Sequence, residues 1–135
     1  MFYTLNNLVL PNYTLSAGIT GGGPEALINV TTYSITSSEN WQLFYQSGKY
    51  FIRNYDYGAK WQLGLTEGDK STPKMYPRSG GIAQQWTLNQ VDGGWEIGNE
   101  LLGNGNRLGM PRGWSIPAMR TENDGAVWNI TSNPR

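Results

Sequence analysis

Apolar and polar residues alternate along this chain only over short stretches. The segments "WQLFY" (41–45), "WTLNQ" (86–90) and "WNIT" (128–131) put every second side chain on one face. That is the period of a β-strand half buried against a core. Breakers stand between such segments, at Gly21 to Pro24, Ser47-Gly48, Gly80-Gly81, Asp92 to Gly94 and Gly103 to Gly105. Glycine, proline and Asx residues in these clusters supply the dihedral angles of tight turns. No stretch holds the 3.6-residue period long enough for an ordinary helix, so the pattern predicts an all-β chain of short strands.

The pattern also repeats. Trp86 has a counterpart 45 residues earlier at Trp41 and another 42 residues later at Trp128. Trp41 is followed nine residues later by Tyr50, and Trp86 nine residues later by Trp95, with a glycine turn in each gap. These read as two copies of one hairpin. Leu63 stands thirteen residues after Tyr50, Leu108 thirteen after Trp95, and Leu15 twelve after Tyr3, so a first copy opens near Met1. The spacing predicts one domain of three repeats, about 1–46, 47–91 and 92–135. Four strands of about five residues fit each repeat, twelve in all. One such unit cannot cover its own apolar face, so the three must close around a shared core of Trp, Leu and Ile. A propeller needs about four blades or more, and three units predict a β-trefoil.

Composition removes most chemistry from this scaffold. The 135 residues suffice for a single core and include neither cysteine nor histidine. Disulfides, the usual zinc sites, thiol catalysis and histidine triads are thereby excluded. Ten basic and ten acidic residues cancel, and neither sign forms a run, so neither nucleic acid nor an anionic membrane surface is expected as a partner. The same balance predicts that any ligand is neutral and that binding barely responds to salt. No cofactor or metal is expected. Glu67 and Asp69 in "TEGD" supply too few oxygens for a hard cation, and "GNGNRLG" has the wrong spacing for a dinucleotide loop. No apolar stretch reaches the roughly 18 residues of a membrane span, and "MFYTLNN" lacks the pattern of a signal peptide. As it stands, the sequence reads as cytoplasmic or non-classically secreted.

Glu39-Asn40-Trp41, Gln84-Gln85-Trp86 and Ala126-Val127-Trp128 resemble the Q-x-W signature of ricin B-type lectin domains, with only the middle copy literal. The resemblance extends from Phe2 to Thr131, and the openings "YTLNN", "YFIRN" and "WEIGN" are most similar to cysteine-free fungal members. It implies a non-catalytic, lectin-like module whose partner is a mono- or oligosaccharide. It also implies a shallow site in each repeat: an Asp just after the Leu of the second strand, an aromatic about a dozen residues on, and an amide near the Q-x-W. A carboxylate accepts two sugar hydroxyls, an aromatic face packs on the apolar side of the ring, and an amide completes the orientation.

This sequence has Ser16, Gly64 and Gly109 where the family Asp is expected. The aromatic position carries Tyr76 in the middle copy, Arg120 in the third, and Asn29 or a nearby polar residue in the first. The middle copy is therefore the candidate site, with Tyr76 stacking on the ligand and Lys74 and Gln84 supplying polar contacts. Each has an ordinary alternative: core packing and turn hydrogen bonding for Gln84 and the three tryptophans, a half-buried strand position for Tyr76. Trp114 in "RGWSIP" is either a ligand platform or a cap on the barrel. Asp56, with Tyr55, Tyr57 and Trp61, forms either a rim hairpin or a second sugar-binding cluster. Two other function classes compete: a trefoil that uses its loops on a protein partner, as inhibitors do, and an enzyme recruited onto the fold. For the latter, nothing in the sequence selects a pair from the ten carboxylates.

Overall fold

The computed structural model describes residues 1–17, 26–32, 37–111, 113, 116–122 and 124–133. Thirteen strands appear among them: β1 Phe2–Asn7, β2 Tyr13–Ser16, β3 Ala26–Leu27, β4 Asn29–Thr32, β5 Trp41–Gln46, β6 Lys49–Asn54, β7 Trp61–Thr66, β8 Asp69–Pro77, β9 Trp86–Val91, β10 Gly94–Asn99, β11 Arg107–Gly109, β12 Ala118–Arg120 and β13 Trp128–Asn133. The described residues contain no α-helix, only 3-10 turns at Ser37–Glu39 and Ile82–Gln84.

Three long antiparallel hairpins build a closed barrel: β5 with β6, β9 with β10, and β13 with β1. The last joins the two ends of the chain through six register pairs, from Phe2↔Asn133 to Asn7↔Trp128. Single pairs, Tyr3↔Trp41, Tyr50↔Trp86 and Trp95↔Trp128, stitch the hairpins into a ring of six strands with no free edge. Three further pairings, β2–β4, β7–β8 and β11–β12, are the second element of each repeat. This is a β-trefoil, and the sequence periods fall on its pseudo-threefold relation.

The matched side chains do matched work. Trp41, Trp86 and Trp128 are fully buried, and their Nε1 groups donate to the carbonyls of Leu15, Leu63 and Leu108, each at 2.9 Å. A buried indole N–H left unpaired would be costly, so the leucine carbonyl fixes where each ring sits. Leu5, Ile52 and Ile97 fill the barrel beside them, with Leu15, Leu63 and Leu108. Asn7, Asn54 and Asn99 form a second triad, donating to the carbonyls of Gly125, Ser38 and Ala83. Their Oδ1 atoms accept from the backbone N–H of Val9, Asp56 and Leu101. A buried amide thus ties each barrel strand to the connection that follows it.

Twelve strands were expected and thirteen are described, because the third strand of the first repeat is broken. β4 pairs with β2 through Leu15↔Val30, as the repeat requires, whereas β3 pairs with β8 through Ala26↔Met75 and Leu27↔Lys74. Ile28 lies fully buried at the break. Counted as one interrupted strand, β3 and β4 restore four strands to each repeat. The predicted turn at Gly21 to Pro24 lies outside the described residues.

Candidate functional site

The middle repeat carries its candidate residues on β7 and β8. Gln62 pairs with Tyr76 and Gly64 with Lys74, so these four side-chain positions share one face of the ribbon. Leu63 and Met75 stand on the other face, fully buried in the core. The ribbon is irregular between Gly64 and Thr66. Tyr76 is half exposed at the outer face. The ammonium of Lys74 lies 3.6 Å from Asp69 Oδ2 across the start of β8. Backbone donation from Ser71 holds the Asp69 carboxyl below its ordinary range, helped by Thr72, the Ser71 hydroxyl and Lys74 and opposed by burial.

Gln84 is 5% exposed, and both ends of its amide are committed to backbone: Nε2 donates to Pro77 O at 2.9 Å, and Oε1 accepts from Ser79 N at 3.0 Å. It shapes the loop after β8 rather than facing outward. The position expected to hold the family carboxylate is closed in all three repeats. A Cβ on Gly64 would stand 2.8 Å from Gln84 Cγ and 3.0 Å from Ala83 O. One on Gly109 would meet Arg120 Cδ and Gly125 O, both at 3.2 Å. Ser16 Oγ donates to Ser38 Oγ at 3.0 Å inside the first repeat. At Gly64 the space of a missing aspartate is taken by Gln84 and Ala83, and at Gly109 it is narrowed by Arg120 and Gly125.

Register confirms Arg120 as the counterpart of Tyr76: Arg120 pairs with Arg107 as Tyr76 pairs with Gln62. Its guanidinium is committed to the backbone oxygens of Met110 and Asp124 and to Glu122. In the first repeat the counterpart is Thr31, opposite Thr14, while Asn29 lies opposite Ser16. Asp56 lies in the turn between β6 and β7, its N–H bonded to Asn54 Oδ1. Tyr57 and Trp61 pack edge to face at 5.6 Å against the core, and Tyr55 packs on Phe2. This turn therefore combines a packed Tyr57–Trp61 pair with an exposed Tyr55. Trp114 lies outside the described residues.

A feature without a sequence signal adjoins the β7–β8 face. A cavity of about 260 Å³ is lined by Gln46, Phe51, Arg53, Gln62, Arg78, Ser79 and Gly80. It meets a second of about 300 Å³ along Gln46, Phe51 and Gly80, which continues past Lys49 and Gln85. Arg53 stacks over Phe44, 4.7 Å from the ring centre. Burial, and then the positive charge of Arg78, lower the Arg53 guanidinium below its usual range. Arg53 Nε and Gln62 Oε1 are enclosed, and neither has a hydrogen-bond partner among the described residues. Each such atom costs about 1–3 kcal/mol while it stays unpaired.

Counterparts of this groove exist in the other repeats. One and three residues after the matched Tyr3, Tyr50 and Trp95 stand Thr4 and Asn6, Phe51 and Arg53, and Glu96 and Gly98. Thr4 and Asn6 help line a cavity of about 570 Å³ with Asn12, Asn129 and Thr131. Glu96 and Gly98 help line one of about 450 Å³ with Asn89, Asn104 and Asn106. In the third repeat Glu96 and Arg107 neutralise each other at 3.1 Å.

No protein-family model matches the chain, and no curated protein sequence matches it. Solved structures do. A mosquitocidal holotoxin superposes with a TM-score of 0.86 at 18% identity over 99% of this chain, which spans only 17% of the toxin. ThreeFoil, a designed 3-fold symmetric protein, gives a TM-score of 0.84 at 17% identity over 98% of this chain and 99% of its own. The β-trefoil lectin of the Vibrio vulnificus hemolysin/cytolysin, solved with N-acetyl-D-lactosamine bound, gives 0.75 at 19% identity over 100% of this chain and 97% of its own. At these identities the likeness establishes the β-trefoil fold, an architecture shared here with lectins.

Proposed function

We propose that this chain is a non-catalytic carbohydrate-binding module of the ricin B-type kind, closest in character to the cysteine-free members. The observation that carries the reading is the recurrence, at the positions one and three residues after the matched aromatic, of an open groove with amide side chains in its wall: Asn6, Asn12 and Asn129 in the first repeat, Gln46 and Gln62 beside two arginines in the second, and Asn89, Asn104 and Asn106 in the third. Such linings suit the hydroxyl-rich faces of sugars, which offer alternating donors and acceptors and little apolar surface. The full-length likeness to a lectin trefoil supports it. The non-catalytic part draws support from the carboxylates: Glu67, Asp69, Glu96, Glu100 and Glu122 each pair with a lysine or arginine. A glycosidase general acid needs the opposite environment.

Within the module we assign the principal contact to the middle repeat. Tyr76 offers its ring to the sugar and Lys74 stands beside it, while Gln84 positions the loop that borders them. A glycan array probed with the intact chain tests the function, and binding to any glycan class followed by measurable titration is the expected result. An array and titrations with no binding sugar would overturn it and favour a protein-binding trefoil, for which exposed Tyr45 and Ile82 are the first surface to probe.

A further inference from the structure

We propose that the groove between Arg53 and Arg78 in the middle repeat receives the carboxylate of an acidic saccharide, such as a uronic or sialic acid; this rests on the carbohydrate reading above and names its ligand class. Two guanidinium groups share one cavity there, close enough for Arg78 to disfavour the charge on Arg53. Five of the other basic residues pair with Asp or Glu, whereas Arg53 and Arg78 have no carboxylate partner among the described residues. Like charges held together without a counterion repel, and an anion between them relieves that repulsion. A carboxylate also matches the planar fork of arginine, which forms paired charge-assisted hydrogen bonds.

The surroundings suit a sugar more than a free anion. Gln62 is 2% exposed and lines the cavity, so its amide forms part of a polar floor beneath the two guanidinium groups. Phe51 contributes an aromatic wall shared with the adjoining cavity, where Gln46 and Gln85 add amides for a further residue of an oligosaccharide. Tyr76 is the register partner of Gln62, which lines this cavity. The loop that carries Arg78 is fixed by the two backbone hydrogen bonds of Gln84. Arg53 is held by its stacking on Phe44.

The test is calorimetric titration of the intact chain with a hyaluronan tetrasaccharide and with sialyllactose, each against its neutral counterpart, the carboxyl-reduced tetrasaccharide and lactose. Sulfated lactose is the third acidic probe. In contrast to the neutral, salt-insensitive ligand that the balanced net charge leads one to expect, at least one carboxylated probe is expected to bind about tenfold more tightly than its counterpart, with a preference that shrinks as salt is raised. Arg78→Gln, at an exposed position, should abolish the preference. Arg53→Lys keeps the charge but loses the fork, and should reduce the preference. Lys70→Gln, which removes an exposed charge at the start of β8, should have no effect. Equal binding of acidic and neutral probes, unchanged in Arg78→Gln, would overturn the acidic site and leave the carbohydrate reading standing. A loss in Lys70→Gln equal to that in Arg78→Gln would overturn it as non-specific attraction, and a preference confined to sulfated lactose would overturn the carboxylate assignment. Absence of binding to every probe, together with a blank glycan array, would overturn the carbohydrate reading itself.

Discussion

Trp86 joins packing and hydrogen bonding in one side chain: it is fully buried and its indole N–H donates to Leu63 O. Trp86→Ala should therefore cost about 3–5 kcal/mol in chemical denaturation, from lost burial, a residual cavity and an orphaned carbonyl. Gly64 acts in the opposite sense, by absence. Restoring the family carboxylate with Gly64→Asp forces a Cβ into Gln84 Cγ, and Gln84 cannot retreat without surrendering its bonds to Pro77 and Ser79. The expected outcome is a loss of about 1–3 kcal/mol of stability with no gain in sugar affinity, read from denaturation and titration on the same variant. Tyr76, half exposed and outside the fully buried set, should behave differently from both. Tyr76→Ala is expected to weaken sugar binding by about 1–3 kcal/mol with the denaturation midpoint nearly unchanged. Equal glycan affinity in wild type and variant would remove Tyr76 from the site.

At the level of elements, the hairpins show how strand alternation meets a barrel. Trp41 and Trp86 open β5 and β9 in the core, but Phe44 and Tyr45 at the far end of β5 are exposed, because the hairpin extends beyond the barrel. There Tyr45 packs on Tyr50 at 4.9 Å and Phe44 under Arg53, so the apolar tip is partly covered by its own ribbon. β7 departs from alternation altogether: Gln62, Leu63, Gly64 and Leu65 are all buried, since the core covers one face and Gln84 with Ala83 closes on Gly64 from the other. The turn into β8 depends on Asp69 as a carboxylate, accepting from Ser71 and Thr72. Its folded pKa is depressed, so its contribution is present above the unfolded value and lost as pH falls through the folded one. Wild type should therefore lose more stability than Asp69→Asn between about pH 5 and pH 3, measured by denaturation at each pH.

For the whole molecule, closure is the decisive event. β13 pairs with β1 along six residues and with β10 at Trp95↔Trp128, so the last strand seals the ring that the first one opens. Ending the chain before Trp128 removes one core tryptophan and leaves β1 and β10 as bare edges. Cooperative unfolding should disappear from the denaturation profile of that truncation, whereas removing only residues 134–135 should leave it intact.

Much of this architecture was written along the chain. Trp41, Trp86 and Trp128, the leucines that follow at fixed intervals, and glycine turns between alternating segments define three hairpin units, and a unit that cannot bury its own face must close on its copies. The Asp positions were also readable as Ser16, Gly64 and Gly109. Only the folded chain shows that those positions are packed shut, since the groups closing Gly64 come from about twenty residues further on, at Ala83 and Gln84. The Arg53 groove had no signal for the same reason. Arg53, Gln62 and Arg78 lie on β6, on β7 and after β8, and a net charge of zero gives no hint that five ion pairs use up charge elsewhere and leave two guanidiniums together. Periodicity is a local property that survives in one dimension and so determined the fold. Which polar groups end up paired depends on contacts between distant strands, and that was decided only by the tertiary structure.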